Sequence, residues 1–172
     1  MEEKKPCMAS IAVVEKKDLK IIHDLAHVIW PLVYDYMLSH EQIDYMLDKM
    51  YSVSSLEKQL EDGDVFIILI EDNIPHGFAS YRIHHNDQRV RLHKLYVHPA
   101  AQKNGWGLKM LSHIFEEGRR QGKKAIELNV NRKNNSIGFY EHIGFVIEKS
   151  EDIDIGMGYH MNDYVMVKDL TL

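Results

Sequence analysis

Apolar positions along the chain fall first into short helical stripes and then into strand-like runs. Residues 10–15 read as an opening strand. Asp18 then stands where a helix cap is expected, ahead of Ile22, Ala26, Ile29 and Val33 on one face, and Trp30-Pro31 is expected to interrupt that helix. Ser39 followed by Gln42 has capping-box form. Ile43, Met46, Leu47 and Met50 come next at i, i+3, i+4 and i+7. Ser54 with Glu57 repeats the signature and predicts another short helix carrying Leu56 and Leu60.

The period then shifts. Residues 65–70 form a continuous apolar run, Asp72-Asn73 marks a turn, residues 77–83 read as a strand, and Asn86-Asp87 precedes a third strand over 90–97. Short polar turns make these an antiparallel meander. After His98-Pro99 a long helix is predicted over about 105–121, with Leu108, Leu111 and Phe115 on one face and Gly122 at its end. A strand over 125–130 follows. Strand, helical crossover, strand implies that segments 90–97 and 125–130 run parallel. A helix over 135–143, Gly144 and two strands near 145–149 and 164–168 complete an α+β mixed sheet.

Composition narrows the class. A chain of 172 residues, 45% hydrophobic and 27% charged, suits one globular domain over residues 1–172. The single cysteine, Cys7, excludes a disulfide framework and a thiol-rich metal site. No apolar run reaches membrane-spanning length and no signal-peptide pattern is present, so a cytoplasmic protein with no membrane partner is expected. A formal net charge of −5 with interspersed signs argues against a nucleic-acid partner. The adjacent His84-His85 would point to opposite faces of a strand and make a poor chelate, so no metal is expected.

The loop after the third strand carries the candidate chemistry. It reads Gln102-Lys103-Asn104-Gly105-Trp106-Gly107, two glycines between a strand and a helix. Glycines admit close backbone approach, and the first N–H groups of a helix point outward with the positive end of its dipole. That combination suits a pyrophosphate. A P-loop would need Gly-Lys-Ser/Thr, but Leu108 and Lys109 follow Gly107. A dinucleotide fingerprint would need glycine or alanine where Met110 stands.

Two segments resemble the GNAT superfamily of acetyl-coenzyme A-dependent N-acetyltransferases. Residues 102–107 look like its coenzyme A pyrophosphate loop, and Leu95-Tyr96-Val97-His98-Pro99 looks like the strand end before it. Ser136-Ile137-Gly138-Phe139-Tyr140-Glu141-His142-Ile143-Gly144-Phe145 resembles its second signature, a helix with a Phe-Tyr pair and Gly-Phe opening the next strand. The layout agrees over residues 10–168 and the motifs over about 90–148. The resemblance implies a mixed, mainly antiparallel sheet of about seven strands flanked by helices, with the two parallel strands splayed at the cofactor site. It implies acetyl-coenzyme A as co-substrate. Leu95, Tyr96 and Val97 would face the thioester through main-chain groups, and Gln102, Lys103, Asn104, Gly105, Trp106, Gly107 and Leu108 would contact the pyrophosphate. The family often has an asparagine seven residues before its helix tyrosine. Lys133 stands there, among Asn131, Asn134 and Asn135, and Asn134 is assigned the cofactor contact.

Acetyl transfer to an amine needs loss of the ammonium proton, stabilisation of a developing oxyanion and protonation of the leaving thiolate. The resemblance assigns the last role to Tyr140, a phenol that is a proton donor at neutral pH, and aromatic packing is the alternative for it. His93, twelve residues before Gly105 and on one strand face with Arg91, Leu95 and Val97, matches a histidine proposed as base within the family; ordered water is the alternative. Gly138 inside a helix costs about 1 kcal/mol against alanine, which a close helix–strand or helix–ligand contact would explain. Residues 30–51 carry Trp30, Tyr34, Tyr36, Tyr45 and Tyr51 with Asp35, Glu41, Asp44 and Asp48. This mixture reads either as a cage for an alkylammonium or as core aromatics beside a solvated acidic helix face. The expected function is acetylation of a small cationic amine. Acetylation of a protein lysine or N-terminus, and a non-catalytic acyl-coenzyme A-binding module, are the alternatives, and a homodimer is left open.

Overall fold

The computed structural model describes residues 8–172, and Cys7 lies outside them. The elements are β1 (Ser10–Val13), α1 (Leu19–Tyr34), α2 (His40–Tyr51), α3 (Val53–Glu61), β2 (Val65–Glu71), β3 (Ile74–Ile83), β4 (Arg89–Val97), α4 (Trp106–Arg120), β5 (Ala125–Asn131), α5 (Ile137–His142), β6 (Val146–Gly156) and β7 (Tyr159–Asp169). The seven strands lie in the order β1-β2-β3-β4-β5-β7-β6. The sheet is mainly antiparallel, and β4 with β5 is its parallel pair, as the crossover through α4 requires. Their pairing runs from Arg89 opposite Ala125 to Leu92 opposite Leu128.

The described residues group into two compact units. One contains residues 8–80 together with Lys94–Ser112; the other contains Tyr81–His93 and His113–Leu172. In the first, α1 buries Ile22, Ala26 and Ile29 of the predicted stripe completely, with Leu19 a turn earlier, while Val33 is half-buried. Leu56 of α3 and Phe66, Ile67 and Leu69 of β2 are equally enclosed. Each such Leu, Ile or Phe side chain contributes about 1.5–3 kcal/mol of burial. Trp30-Pro31 does not interrupt α1, which continues to Tyr34. Proline forfeits one backbone bond, but the next turn returns Tyr34 to the buried Trp30 ring, with centroids 4.5 Å apart.

Ser39 caps α2 by accepting from the Gln42 amide at 3.1 Å, which is half of the expected box; the Gln42 side chain turns instead towards Met46. The next cap falls on Ser52 and not Ser54, because the Ser52 hydroxyl accepts from the Ser55 amide at 3.3 Å and lets α3 begin at Val53. Asp18 precedes α1 without a side-chain cap bond.

The second unit packs Val90 and Leu92 of β4, Ile114 and Phe115 of α4, Ile126, Leu128 and Val130 of β5, and Val165 and Met166 of β7 into its core. Its hairpin β6–β7 is longer than expected: eleven residues in each strand, turning through Gly156, Met157 and Gly158, all at positive φ. Strand β6 is largely exposed along its length, so it has no buried face to impose an alternating pattern. Backbone pairing with β7 makes it a strand, and its charged residues blunt the free edge.

Candidate active site

Strand β4 ends at Val97 and leads through a short 3-10 turn, Pro99–Ala101, into the glycine loop. His98 stabilises the turn by accepting from the Ala100 amide at 3.1 Å. Gln102 folds back to donate to the Val97 carbonyl at 3.2 Å, and Asn104 donates to the Ala101 carbonyl at 3.2 Å. Lys103 and Gly105 both sit at φ of +73°, so the chain reverses twice before α4 begins at Trp106. Nothing lies within 4 Å of the place where a Cβ on Gly105 would stand. The position therefore needs its backbone conformation rather than space. Trp106 is buried with its ring centroid 5.0 Å from that of His76, which anchors the helix start, while Gln102, Lys103, Asn104, Gly105 and Leu108 are exposed. The loop thus presents backbone and helix N–H groups outward from a fixed base. A pyrophosphate fits such a donor set.

The strand end beside the loop is equally constrained. A Cβ on Gly77 of β3 would stand 2.5 Å from the Tyr96 carbonyl oxygen, so only glycine permits this approach. The His98 amide donates to the His76 carbonyl at 2.8 Å. Tyr96 is half-buried, its hydroxyl 2.9 Å from that of Tyr34 and its ring among Trp30, Tyr34 and Phe78. Leu95 and Val97 are also half-buried.

The alkylammonium cage does not form. Trp30, Tyr34 and Tyr51 join Tyr96 and Phe78 in one packed aromatic cluster, with Trp30 and Tyr51 centroids 5.4 Å apart. Asp35, Glu41, Asp44 and Asp48 are exposed, and Asp35 pairs with His40 at 3.1 Å. The second reading of residues 30–51, core aromatics beside a solvated acidic face, describes Trp30, Tyr34 and Tyr51, whereas Tyr36 is exposed and Tyr45 is half-buried under Lys49. Periodicity misses Lys94. It is buried on β4 with its ammonium 5.1 Å from the Tyr51 ring centroid, and burial lowers its pKa to about 8 against the attraction of Asp64. A charged residue between Leu92 and Tyr96 on an otherwise apolar strand face was the available signal.

In the second unit, Tyr140 is buried in α5, its ring edge-on to Phe145 at 5.5 Å and beside Phe139 at 5.3 Å. Burial raises its phenol pKa well above the usual value, so it keeps its proton at neutral pH. Asn134 is engaged locally: its side-chain oxygen accepts from the Ser136 amide at 2.8 Å and hydroxyl at 2.6 Å, shaping the turn into α5. Asn131 holds the Lys133 amide at 2.9 Å in the same way. A Cβ on Gly138 would meet nothing within 4 Å, so no close helix–strand contact explains that glycine. His93 is exposed at the end of the β4 segment of this unit. Among the described residues no three His, Cys, Asp or Glu side chains converge as metal ligands, and no helix is long and apolar enough to cross a membrane.

Comparison with known proteins is consistent with this layout. Residues 35–161 match the model of the acetyltransferase (GNAT) domain. The chain is 33% identical over 89 residues to the L-methionine sulfoximine/L-methionine sulfone acetyltransferase of Salmonella typhimurium, a stretch covering 49% of this chain and 52% of that enzyme. The chain thus spans about half the length of that relative. An uncharacterised N-acetyltransferase of Mycobacterium tuberculosis is 29% identical over 144 residues, covering 83% of this chain and 91% of its own. The crystal structure of the PaiA N-acetyltransferase from Thermoplasma acidophilum in complex with coenzyme A shares the fold, with a TM-score of 0.79 at 23% identity over 94% of this chain and 99% of that one.

Proposed function

The chain belongs to the GNAT acetyltransferase family, and from that premise we propose that it moves the acetyl group of acetyl-coenzyme A onto the primary amine of a small molecule. The observation that carries this reading is the loop from Gln102 to Leu108, where the Lys103 and Gly105 conformations and the α4 N-terminus turn backbone donors outward. Gln102, Lys103, Asn104, Gly105, Trp106, Gly107 and Leu108 would hold the pyrophosphate, and Leu95, Tyr96 and Val97 would lie along the acyl end. Bound acetyl-coenzyme A supplies an activated acyl carbon.

The chain's own groups would manage protons. Tyr140, kept neutral by burial, would donate to the departing sulfur. His93 on β4 would accept the ammonium proton, directly or through water. Asn134 is assigned a cofactor contact through its amide nitrogen, since its oxygen is held by Ser136. The Salmonella relative bears an amino-acid-like acceptor in its name, which supports a small amine over a protein lysine or N-terminus.

Coenzyme A release measured across a panel of small amines tests the reading. Release is expected with at least one amine, and Tyr140→Phe is expected to lower turnover roughly 10²-fold, the low end of general-acid effects, with cofactor affinity kept. Binding of acetyl-coenzyme A without release against any amine or peptide would favour an acyl-coenzyme A-binding module. Unchanged turnover in Tyr140→Phe would return that residue to packing.

A further inference from the structure

Asp163 on β7 is 1% exposed, and neither of its carboxylate oxygens receives a hydrogen bond. It stands opposite Glu151 of β6 and, on its other side, opposite Asn131 of β5. Two acids in direct cross-strand register repel each other. Desolvation, and then the Glu151 charge, push the Asp163 carboxyl up, with Asn129, Arg91 and Arg132 opposing them. The surrounding cations are already committed. Arg91 donates to the Asn129 side-chain oxygen at 2.6 Å and lies 3.6 Å from Glu127; Lys149 pairs with Glu151 at 2.7 Å; Arg132 pairs with Asp152. Asn129 donates one amide hydrogen to Glu151 at 3.2 Å, and its hydrogen-bonding influence on Asp163 falls short of a formed bond. One buried carboxylate remains in excess, in a polar setting where a donor-rich cation would satisfy it.

We propose that Asp163, with Glu151 opposite, forms a cation subsite that takes an alkylammonium group of the acceptor. An ammonium brings several N–H donors and one positive charge, matching two facing carboxylates of which one lacks any donor. Glu151 and Arg132, each with about a third of its side chain exposed, are the members of the cluster that reach solvent. The identity of the ligand as an acceptor rests on the function proposed above; binding of an ammonium does not, and is measured without any acyl donor.

The experiment is a thermal-shift and calorimetric titration of the full chain with n-butylammonium chloride, against sodium chloride, magnesium chloride and sodium butyrate at equal ionic strength. Saturable stabilisation by butylammonium alone is expected, weakened roughly tenfold or more in Asp163→Asn, the loss of one charge-assisted hydrogen bond, and by a smaller factor in Glu151→Gln. Glu151 is partly exposed, so its variant reports even if Asp163→Asn fails to fold. No saturable effect in the wild type overturns the proposal. So does an equal effect in folded Asp163→Asn, or in Glu151→Gln where Asp163→Asn does not fold. A response to magnesium without one to butylammonium also overturns it. Failure of coenzyme A release alongside intact ammonium binding would count against acetyl transfer and leave the subsite standing.

Discussion

Lys94 makes the clearest case at the residue scale. Buried beside the Tyr51 ring, it has a pKa lowered from 10.5 to about 8, chiefly by desolvation. In the unfolded chain the same amine keeps its proton up to the ordinary value. Below about pH 8 both states are protonated and the fold bears the full cost of a buried charge, about 3 kcal/mol for that shift. Between pH 8 and 10.5 the unfolded chain holds more protons, so stability rises with pH across that window. Lys94→Met is therefore expected to raise the melting temperature at pH 7, and the gain should shrink towards zero above pH 10.5. Melting curves of both proteins from pH 6 to 11 measure it, and a gain independent of pH would mean better packing only. This residue was hidden in the sequence because strand alternation assigns a face but not what covers it. The Tyr51 ring beside Lys94 comes from α2, far along the chain. The same blindness left residues 30–51 open between a cage and a core.

Among the elements, those with a buried stripe or a forced turn were legible, and those held only by backbone pairing were not. Helix α1 was visible from Ile22, Ala26 and Ile29, all fully buried, and the glycine loop from Gly105 and Gly107. Pro31 reads as a stop because local rules see its missing N–H but not the Trp30–Tyr34 contact beyond it. The hairpin β6–β7 was truncated because the exposed β6 shows no alternation. Two left-handed positions close together set the loop, and they differ in tolerance. Lys103 already adopts φ +73° as a non-glycine, whereas Gly105 at the same φ lets the chain enter α4. Gly105→Val is expected to strain the backbone by about 1–3 kcal/mol and to weaken acetyl-coenzyme A binding more than Lys103→Ala, which removes one exposed charge. Calorimetric titration of both variants decides; equal affinities would reduce the loop to a simple turn. Which of the neighbouring asparagines shapes the turn into α5 is least legible, since it depends on the geometry that binds the Asn134 oxygen to Ser136.

At the scale of the whole molecule, cofactor binding should appear as stability. Family membership rests on residues 35–161, a stretch that includes the glycine loop and α5. A ligand that binds only the folded chain stabilises it by mass action, about 2.7 kcal/mol at a hundred times its dissociation constant. For a chain of this length each kcal/mol moves the melting temperature by about 2–4 °C, so saturating acetyl-coenzyme A should raise it by about 5–10 °C. Nicotinamide dinucleotides should produce no comparable shift, because Met110 occupies the place of the third small residue that a dinucleotide turn needs. The contrast is informative because both ligands carry a pyrophosphate and differ in the backbone turn each demands. Equal shifts would mean that the helix N-terminus attracts any pyrophosphate and that the loop selects nothing. A shift with coenzyme A as large as that with acetyl-coenzyme A would place the binding energy in the nucleotide and pantetheine, leaving the strand end at Tyr96 and Val97 to act on the acyl group after docking.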